Sequence, residues 1–375
     1  MVRVGLENVH VSGNVEKIRG AAAVMSPIHG LLSHPDLTGE LKHHLALPAI
    51  PVLETGCDFA LATLNQYRAR ANALMDLATA RYPAPLLTAL DRVSRAWLVK
   101  WENAHLAEID AVAAALARPG AYFFSVNYEW GCTCRVAPAA DRKSARLIRV
   151  LDWLTPGLGQ NIVAARVSGA PAGPYVTLTW PGYTGVLQAM APGRFSVALN
   201  QAPMRKSAGF YYLDWAANKK RVWSMPHPTP AHLLREVVET ATTFADARRM
   251  LSERPISTPT IFLIAGVDPG ETAVIERQET EARVRDGEQV AANHWESAGW
   301  QGHARGANSP GRSRMISSVA PEFDTSFPWL QAPILNPRTR LALVADARQG
   351  RLIAQGFEQG APATEPLSLN WSMGA

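Results

Sequence analysis

The stretch VNYEWGCTCRVAP, Val126 to Pro138, sets two cysteines one residue apart in a 375-residue chain that holds three. On an extended strand Cys132 and Cys134 face the same way and stand too close for an ordinary bridge. From residue type alone four readings are open: a metal clip, a redox pair, a piece of core, or a nucleophile with a neighbour. A metal site needs further soft or imidazole ligands at workable spacing. The ten histidines are dispersed, with His43 and His44 the one adjacent pair. A thiol–disulfide pair usually takes the form C-x-x-C at a helix start, which C-x-C entering a strand does not match. Gly131 leaves the peptide carbonyl before Cys132 accessible, which keeps a chemical role in play beside simple burial.

The rest of the chain narrows the setting. Hydrophobic residues at 47% and charged residues at 18% describe a globular protein with room for a large core. The net charge of +5 is modest and scattered. Lys219, Lys220 and Arg221 form one short cluster, read as a solvated loop. No stacking aromatics interleave with further cations there, so a nucleic-acid partner is not expected. Weak attraction to anionic membrane surfaces or lipid aggregates stays open. No run of eighteen apolar residues exists, and the opening MVRVGLENVH alternates without the apolar core of a signal peptide. With three cysteines, this predicts a reducing cytoplasm.

Periodicity divides the chain into strands and helices. From Asp58 to Leu116 the pattern is helical, with Leu86, Leu90, Val93, Trp97 and Trp101 as the apolar stripe of a long helix ending at Ala117-Arg118-Pro119-Gly120. Short β-rich runs follow at 121–127, 146–153, 161–168, 175–180 and 194–200. A helical pair spans 229–255, with Thr243 and Asp246 as the capping box of its second member. Strands return at 260–266, 272–278, 281–286, 289–293, 341–348 and 351–357. Strands, then helices, then strands predict an α+β fold of antiparallel sheets with helices outside.

Downstream of Cys132-Thr133 comes Arg149-x-x-Asp152, on a strand able to return beside the first. PGYTGVLQAMAPGRFSVALNQ (181–201), AANHWES around Asn293, and NSPGRSRM with Arg312 and Arg314 follow in order. Together with the lead-in NYEWGCT, these segments resemble the N-terminal nucleophile hydrolases of the acid ceramidase, N-acylethanolamine acid amidase and penicillin acyltransferase group, more distantly similar to the choloylglycine hydrolases. The resemblance covers roughly residues 120–320.

It implies an αββα sandwich of two antiparallel sheets. Residues 1–131 would form a helical pro-segment or small subunit, and residues 132–375 the catalytic domain, the two staying associated after self-cleavage at Gly131-Cys132. It further implies hydrolysis of an N-acyl, fatty-type amide through a cysteinyl thioester, without cofactor or metal; the alternatives are acyl transfer of the penicillin acyltransferase type, or a non-catalytic relative or thiol-based metal or redox protein. Cys132 would be the nucleophile, Arg149 and Asp152 its charged neighbours, and Asn293 an oxyanion donor, with Asn200 and Arg312 orienting the set. Three departures stand out. The Cys132–Arg149 gap is one residue longer than in the group, which makes Cys134 a rival nucleophile. Val150 replaces an asparagine, and Trp153 a tyrosine.

Overall fold

The computed structural model describes residues 46–80, 82–126 and 130–371. The alternating N-terminal stretch, the His43–His44 pair and the lead-in residues Asn127, Tyr128 and Glu129 lie outside the described residues.

The described chain begins with β1 (Val52–Thr55) and continues through α1 (Phe59–Gln66), α2 (Arg68–Thr79), α3 (Ala84–Lys100), α4 (Leu106–Leu116) and α5 (Ala121–Ser125). β2 (Trp130–Pro138) and β3 (Ala145–Trp153) lead to β4 (Val163–Val167), β5 (Tyr175–Thr179), β6 (Gln188–Ala191) and β7 (Phe195–Gln201). Three helices follow: α6 (Tyr211–Ser224), α7 (Pro230–Thr240) and α8 (Phe244–Glu253). Then come β8 (Thr260–Ala265), β9 (Thr272–Arg277), β10 (Ala282–Asp286), β11 (Gln289–Ala291) and α9 (Ser309–Ile316). The last strands are β12 (Thr339–Asp346), β13 (Arg351–Glu358), β14 (Ala361–Pro362) and β15 (Leu367–Asn370).

Among the described residues the strands form two sheets. One has eight strands in the order β1-β4-β5-β6-β7-β8-β9-β10. The other runs β11-β2-β3-β12-β13-β14, with β15 also on β13. The two-sheet α+β expectation is met, with one difference: β1 pairs parallel to β4. The segment before Cys132 is therefore not purely helical, since it supplies a strand to the larger sheet.

Period-two alternation places the side chains of β3. Leu147 and Leu151 join Cys132, Cys134, Val197 and Leu263 in the main core, to which both sheets contribute. Ile148 and Val150 face the other way, under Ile316 of α9 and Phe327, Leu330 and Ile334. Arg149, between Leu147 and Leu151, is thus carried into the space between the sheets. The departure at Val150 has a plain packing role on the outer face.

α7 packs on β7, and α8 on β8, β9 and β10. Both begin with a threonine cap. Thr229 Oγ1 accepts from the His232 amide, and Thr243 Oγ1 from the Asp246 amide at 3.0 Å.

Three local expectations change. Residues 121–125 are the helix α5 instead of a strand, because Asp91 of α3 accepts from the Gly120 and Phe123 amides at 2.6 and 2.8 Å. That carboxylate satisfies the helix start from thirty residues away. The long helix is broken at Trp101, with Glu102 at φ 48°. On α3 the buried face is Leu87, Ser94, Trp97 and Leu98, while Leu86 and Val93 are exposed. Finally, Lys219, Lys220 and Arg221 lie on α6, not in a loop.

Candidate active site

The hairpin of β2 and β3 assembles the first part of the site by register. Gly131 stands opposite Asp152, Cys132 opposite Leu151, and Cys134 opposite Arg149. Arg149 is fully buried. One guanidinium nitrogen donates to the Cys132 sulfur at 3.4 Å, and the other lies 3.6 Å from the Cys134 sulfur. That second nitrogen also donates to the Leu199 carbonyl at 2.9 Å and to Asn200 Oδ1 at 3.1 Å. Both thiols therefore share one cation, but their other partners differ. The Cys134 thiol donates to Asn200 Oδ1 at 2.9 Å, whereas the Cys132 sulfur lies 3.7 Å from the Leu199 carbonyl. Cys134 is the more firmly held of the two.

β7, from the larger sheet, brings Asn200. Its amide nitrogen donates to the carbonyls of Ala291 and Ala292 at 3.0 and 3.2 Å, so both ends of the side chain are engaged. Asn200 orients Arg149 and Cys134.

The end of β11 brings Asn293, and α9 brings Arg312. Asn293 Oδ1 accepts from the Cys132 amide at 2.8 Å, and its amide group donates to the Gln201 carbonyl at 2.8 Å. Arg312 donates to Asn293 Oδ1 at 2.9 Å, and to both the Cys132 carbonyl and Thr133 Oγ1 at 2.6 Å. A nitrogen of Arg312 also lies 3.5 Å from Asp152 Oδ2. Thr339 Oγ1 donates to the second carboxylate oxygen at 2.9 Å. A Cβ at Gly131 would stand 3.3 Å from Asp152 Cβ, so a side chain there would press on the carboxylate. All six sequence-derived residues, Cys132, Arg149, Asp152, Asn200, Asn293 and Arg312, are brought into one buried network.

Burial dominates the titration of this set. It pushes the Cys132 thiol up to about 12, against the lowering influence of Arg149. The Cys134 thiol and the Asp152 carboxyl are raised for the same reason, opposed chiefly by Arg149 and Arg312 respectively. At neutral pH the Cys132 sulfur thus carries its proton, and needs a base within reach to lose it.

Tyr183 is a residue that the spacing arguments passed over. It sits in the Gly182–Gly185 turn, and its buried hydroxyl has no hydrogen-bond partner among the described residues. Burial raises its pKa, with Arg149 opposing. Tyr183 also lines a cavity of about 460 Å³ with Leu74, Phe124, Trp153, Leu158 and Trp180. Trp153 packs between Trp130, tilted at 39°, and Trp180, edge-on at 75°, with ring centroids 5.0 and 5.6 Å away. The departure from tyrosine at Trp153 therefore exchanges a hydroxyl for an apolar wall. Thr339 and Ser309 were equally illegible in sequence; Ser309 Oγ accepts from the Asn293 amide at 2.7 Å.

No protein-family model matches the chain. A stretch of 104 residues, 28% of the chain, is 31% identical to acid ceramidase of Homo sapiens and covers 25% of that protein. The acid ceramidase of Heterocephalus glaber is 30% identical over 101 residues, 27% of this chain and 24% of its own length. The chain thus spans about a quarter of the length of the curated relatives it matches. Among solved structures, a Caenorhabditis elegans N-acylethanolamine-hydrolyzing acid amidase ortholog gives a TM-score of 0.44 at 24% identity, covering 57% of this chain and 92% of that one. A conjugated bile acid hydrolase from Clostridium perfringens gives 0.36 at 11% identity, covering 65% and 93%. Over the matched stretch the chain is similar in sequence to the acid ceramidases.

Proposed function

We propose that the protein is a self-processing cysteine amidase that cleaves the linear amide bond of N-acyl substrates with an apolar acyl chain. The observation that carries this reading is the convergence on Cys132. Its sulfur meets Arg149, its amide nitrogen meets Asn293 Oδ1, and its carbonyl meets Arg312.

Among the described residues, this neutral, buried thiol has no histidine or carboxylate as a hydrogen-bond partner to act as base. Cleavage at Gly131-Cys132 supplies one. The sulfur adds to the Gly131 carbonyl carbon, the C–N bond breaks as the thiol proton passes to the departing nitrogen, and water hydrolyses the thioester. The products are a Gly131 carboxylate and a Cys132 whose α-amine, with a usual pKa of about 7.7–8.0, sits beside its own thiol. In turnover that amine takes the thiol proton as sulfur adds to the substrate carbonyl. It returns the proton to the leaving nitrogen, then activates the water that releases the acid.

Asn293 Oδ1 already holds the nitrogen that becomes the amine. Asp152, opposite Gly131, supplies negative charge to the ammonium form, and Arg149 steadies the sulfur as it ionises. The Asn293 N–H not used by Gln201 and the unpartnered Tyr183 hydroxyl are the donors we assign to the acyl oxygen. The 460 Å³ cavity beside Trp153 and Tyr183 suits the acyl chain.

Phe210, Tyr211, Tyr212 and Leu213 are consecutive and exposed at the start of α6, which also carries exposed Lys220. This face supports contact with anionic lipid aggregates that would present such substrates. The three thiols are free, in keeping with a reducing compartment. No described helix is long and apolar enough to cross a membrane.

Intact mass under denaturing conditions tests the reading, together with trapping of an acyl adduct on the fragment that begins at Cys132. We expect two fragments from the active protein and none from Cys132→Ala. A full-length protein that turns over amides would overturn the mechanism.

A further inference from the structure

Asn293 is gripped at two points by one face of α9. Ser309 and Arg312 stand three residues apart on that helix and therefore project together. Arg312 donates to Asn293 Oδ1 at 2.9 Å, and Ser309 Oγ accepts from the Asn293 backbone amide at 2.7 Å. Ser309 is buried, and the same oxygen lies 2.7 Å from Nδ1 of His294. The other ring nitrogen of His294 lies 2.9 Å from Glu296 Oε1. Glu296 is itself placed twice over. Ser313, the residue after Arg312, donates to its carboxylate at 3.4 Å. The buried Glu276 of β9 accepts from the amides of Glu296 and Ser297 at 2.7 and 3.0 Å. A line of contacts thus leads from the partly exposed Glu296 through His294 and Ser309 to Asn293, and from there to the Cys132 amide.

Resting on the amidase reading, we propose that His294 is a positioning residue of the reaction. With its tautomer set by Glu296, it orients the Ser309 hydroxyl and so holds the Asn293 amide group at the acyl oxygen. A carboxylate only accepts, so the neutral ring keeps its proton on Nε2, toward Glu296, and offers Nδ1 as an acceptor. The Ser309 hydroxyl has one hydrogen. Given to Nδ1, it leaves the lone pairs of the oxygen to the Asn293 backbone N–H. Without the ring, that hydrogen has no set direction and the hold on the amide slackens. Asn293 has little freedom to correct the shift. Its Oδ1 is shared by the Cys132 amide and Arg312, and one side-chain N–H goes to the Gln201 carbonyl. A displaced backbone would therefore carry the second N–H away from the acyl oxygen, and such a donor is effective only at the right geometry. None of the described contacts of His294 is to Cys132, Arg149 or Asp152, so it acts through Ser309.

The test uses the processed protein with N-dodecanoyl ethanolamide as probe, scored by the ethanolamine released. It compares the unaltered protein with His294→Ala, Ser309→Ala, the double variant and His294→Asn. His294→Ala and Ser309→Ala should each lower kcat by about tenfold, the scale of one hydrogen bond, with KM within about twofold. The double variant should fall no further than Ser309→Ala, because both act on one contact; independent effects would multiply to about a hundredfold. His294→Asn sets an amide oxygen near the former Nδ1 and should recover kcat to within about threefold of the unaltered protein. A structural role alone would lower the melting temperature of His294→Ala without this loss in kcat or its rescue. Four results overturn the proposal and leave the amidase reading intact: unchanged kcat in His294→Ala, a loss confined to KM, multiplying effects in the double variant, or an asparagine variant as slow as the alanine one. If Ser309→Ala fails to fold, the two His294 variants decide alone. An unaltered protein that releases no amine and forms no acyl adduct on Cys132 overturns both.

Discussion

Cys132 and Cys134 differ by two positions on one strand and share Arg149, yet their surroundings differ. The thiol of Cys134 is tied to Asn200 at 2.9 Å, while the amide of Cys132 is held by Asn293. Cys132→Ala should abolish both cleavage and turnover. Cys134→Ser should keep cleavage and retain turnover within about tenfold, since it can keep the hydrogen bond to Asn200; mass spectrometry and amine release read the two effects. Equal loss in both variants would move the nucleophile assignment. Arg149→Lys keeps the charge but loses the fork that spans both sulfurs, so kcat should fall by about tenfold or more, with little change in KM. Tyr183→Phe removes a buried hydroxyl that has no hydrogen-bond partner among the described residues. It should leave the melting temperature level or higher, and lower kcat by about ten- to a hundredfold if that hydroxyl meets the acyl oxygen. Unchanged kcat would remove Tyr183 from the site. Cys132, Arg149 and Asp152 were legible because one hairpin pairs them, with both strands announced by β-rich patterns. Asn200, Asn293 and Arg312 were reachable only through ordered segments of a family resemblance. Tyr183 and Thr339 depend on contacts that no local pattern encodes.

At the level of elements, most strands were well marked because they are short, continuously buried runs of β-branched and aliphatic residues, as in β3 and β8. The helical errors share a physical cause. α5 is nucleated by the Asp91 carboxylate on a different helix, and α6 buries only Asp214 within its span, so neither displays an apolar stripe. α7 carries a testable electrostatic load. His232 lies between Asn103 and Thr184, 3.1 and 3.3 Å from its two ring nitrogens, and burial followed by the Arg235 charge lowers its pKa from the usual 6.5 to about 3. His105, with its ring 5.2 Å away, is lowered well below the usual value too. A histidine kept neutral in the fold binds its proton more readily when unfolded. Its contribution to stability is therefore complete above pH 6.5 and is lost as pH falls from there toward 3. Each pH unit in that window costs about 1.4 kcal/mol per fully shifted group. Thermal melts from pH 7 to 4 should drop steeply, and His232→Asn should flatten the drop. Parallel curves for the two proteins would show that another group controls acid stability.

For the whole molecule, the apolar cavity predicts a dependence on acyl length. Each buried methylene contributes up to about 0.8 kcal/mol, roughly fourfold in kcat/KM, until the cavity is full. Leu74→Trp, at the cavity wall, should move the optimum to shorter chains; a flat length series would separate the cavity from the acyl group. The placement of β1 has a consequence of another kind. That strand lies before the proposed cut, yet it pairs with β4 beyond it, and Glu108 of α4 is joined to Arg235 of α7 across the same divide. A cut at Gly131 would therefore leave the folded state in place while erasing the tether that makes its assembly a unimolecular event. Such a protein keeps a history. Uncut Cys132→Ala should refold at a rate independent of dilution. The matured molecule, once unfolded, would depend on two strangers meeting, so its recovery should fall with dilution and its melt should show hysteresis.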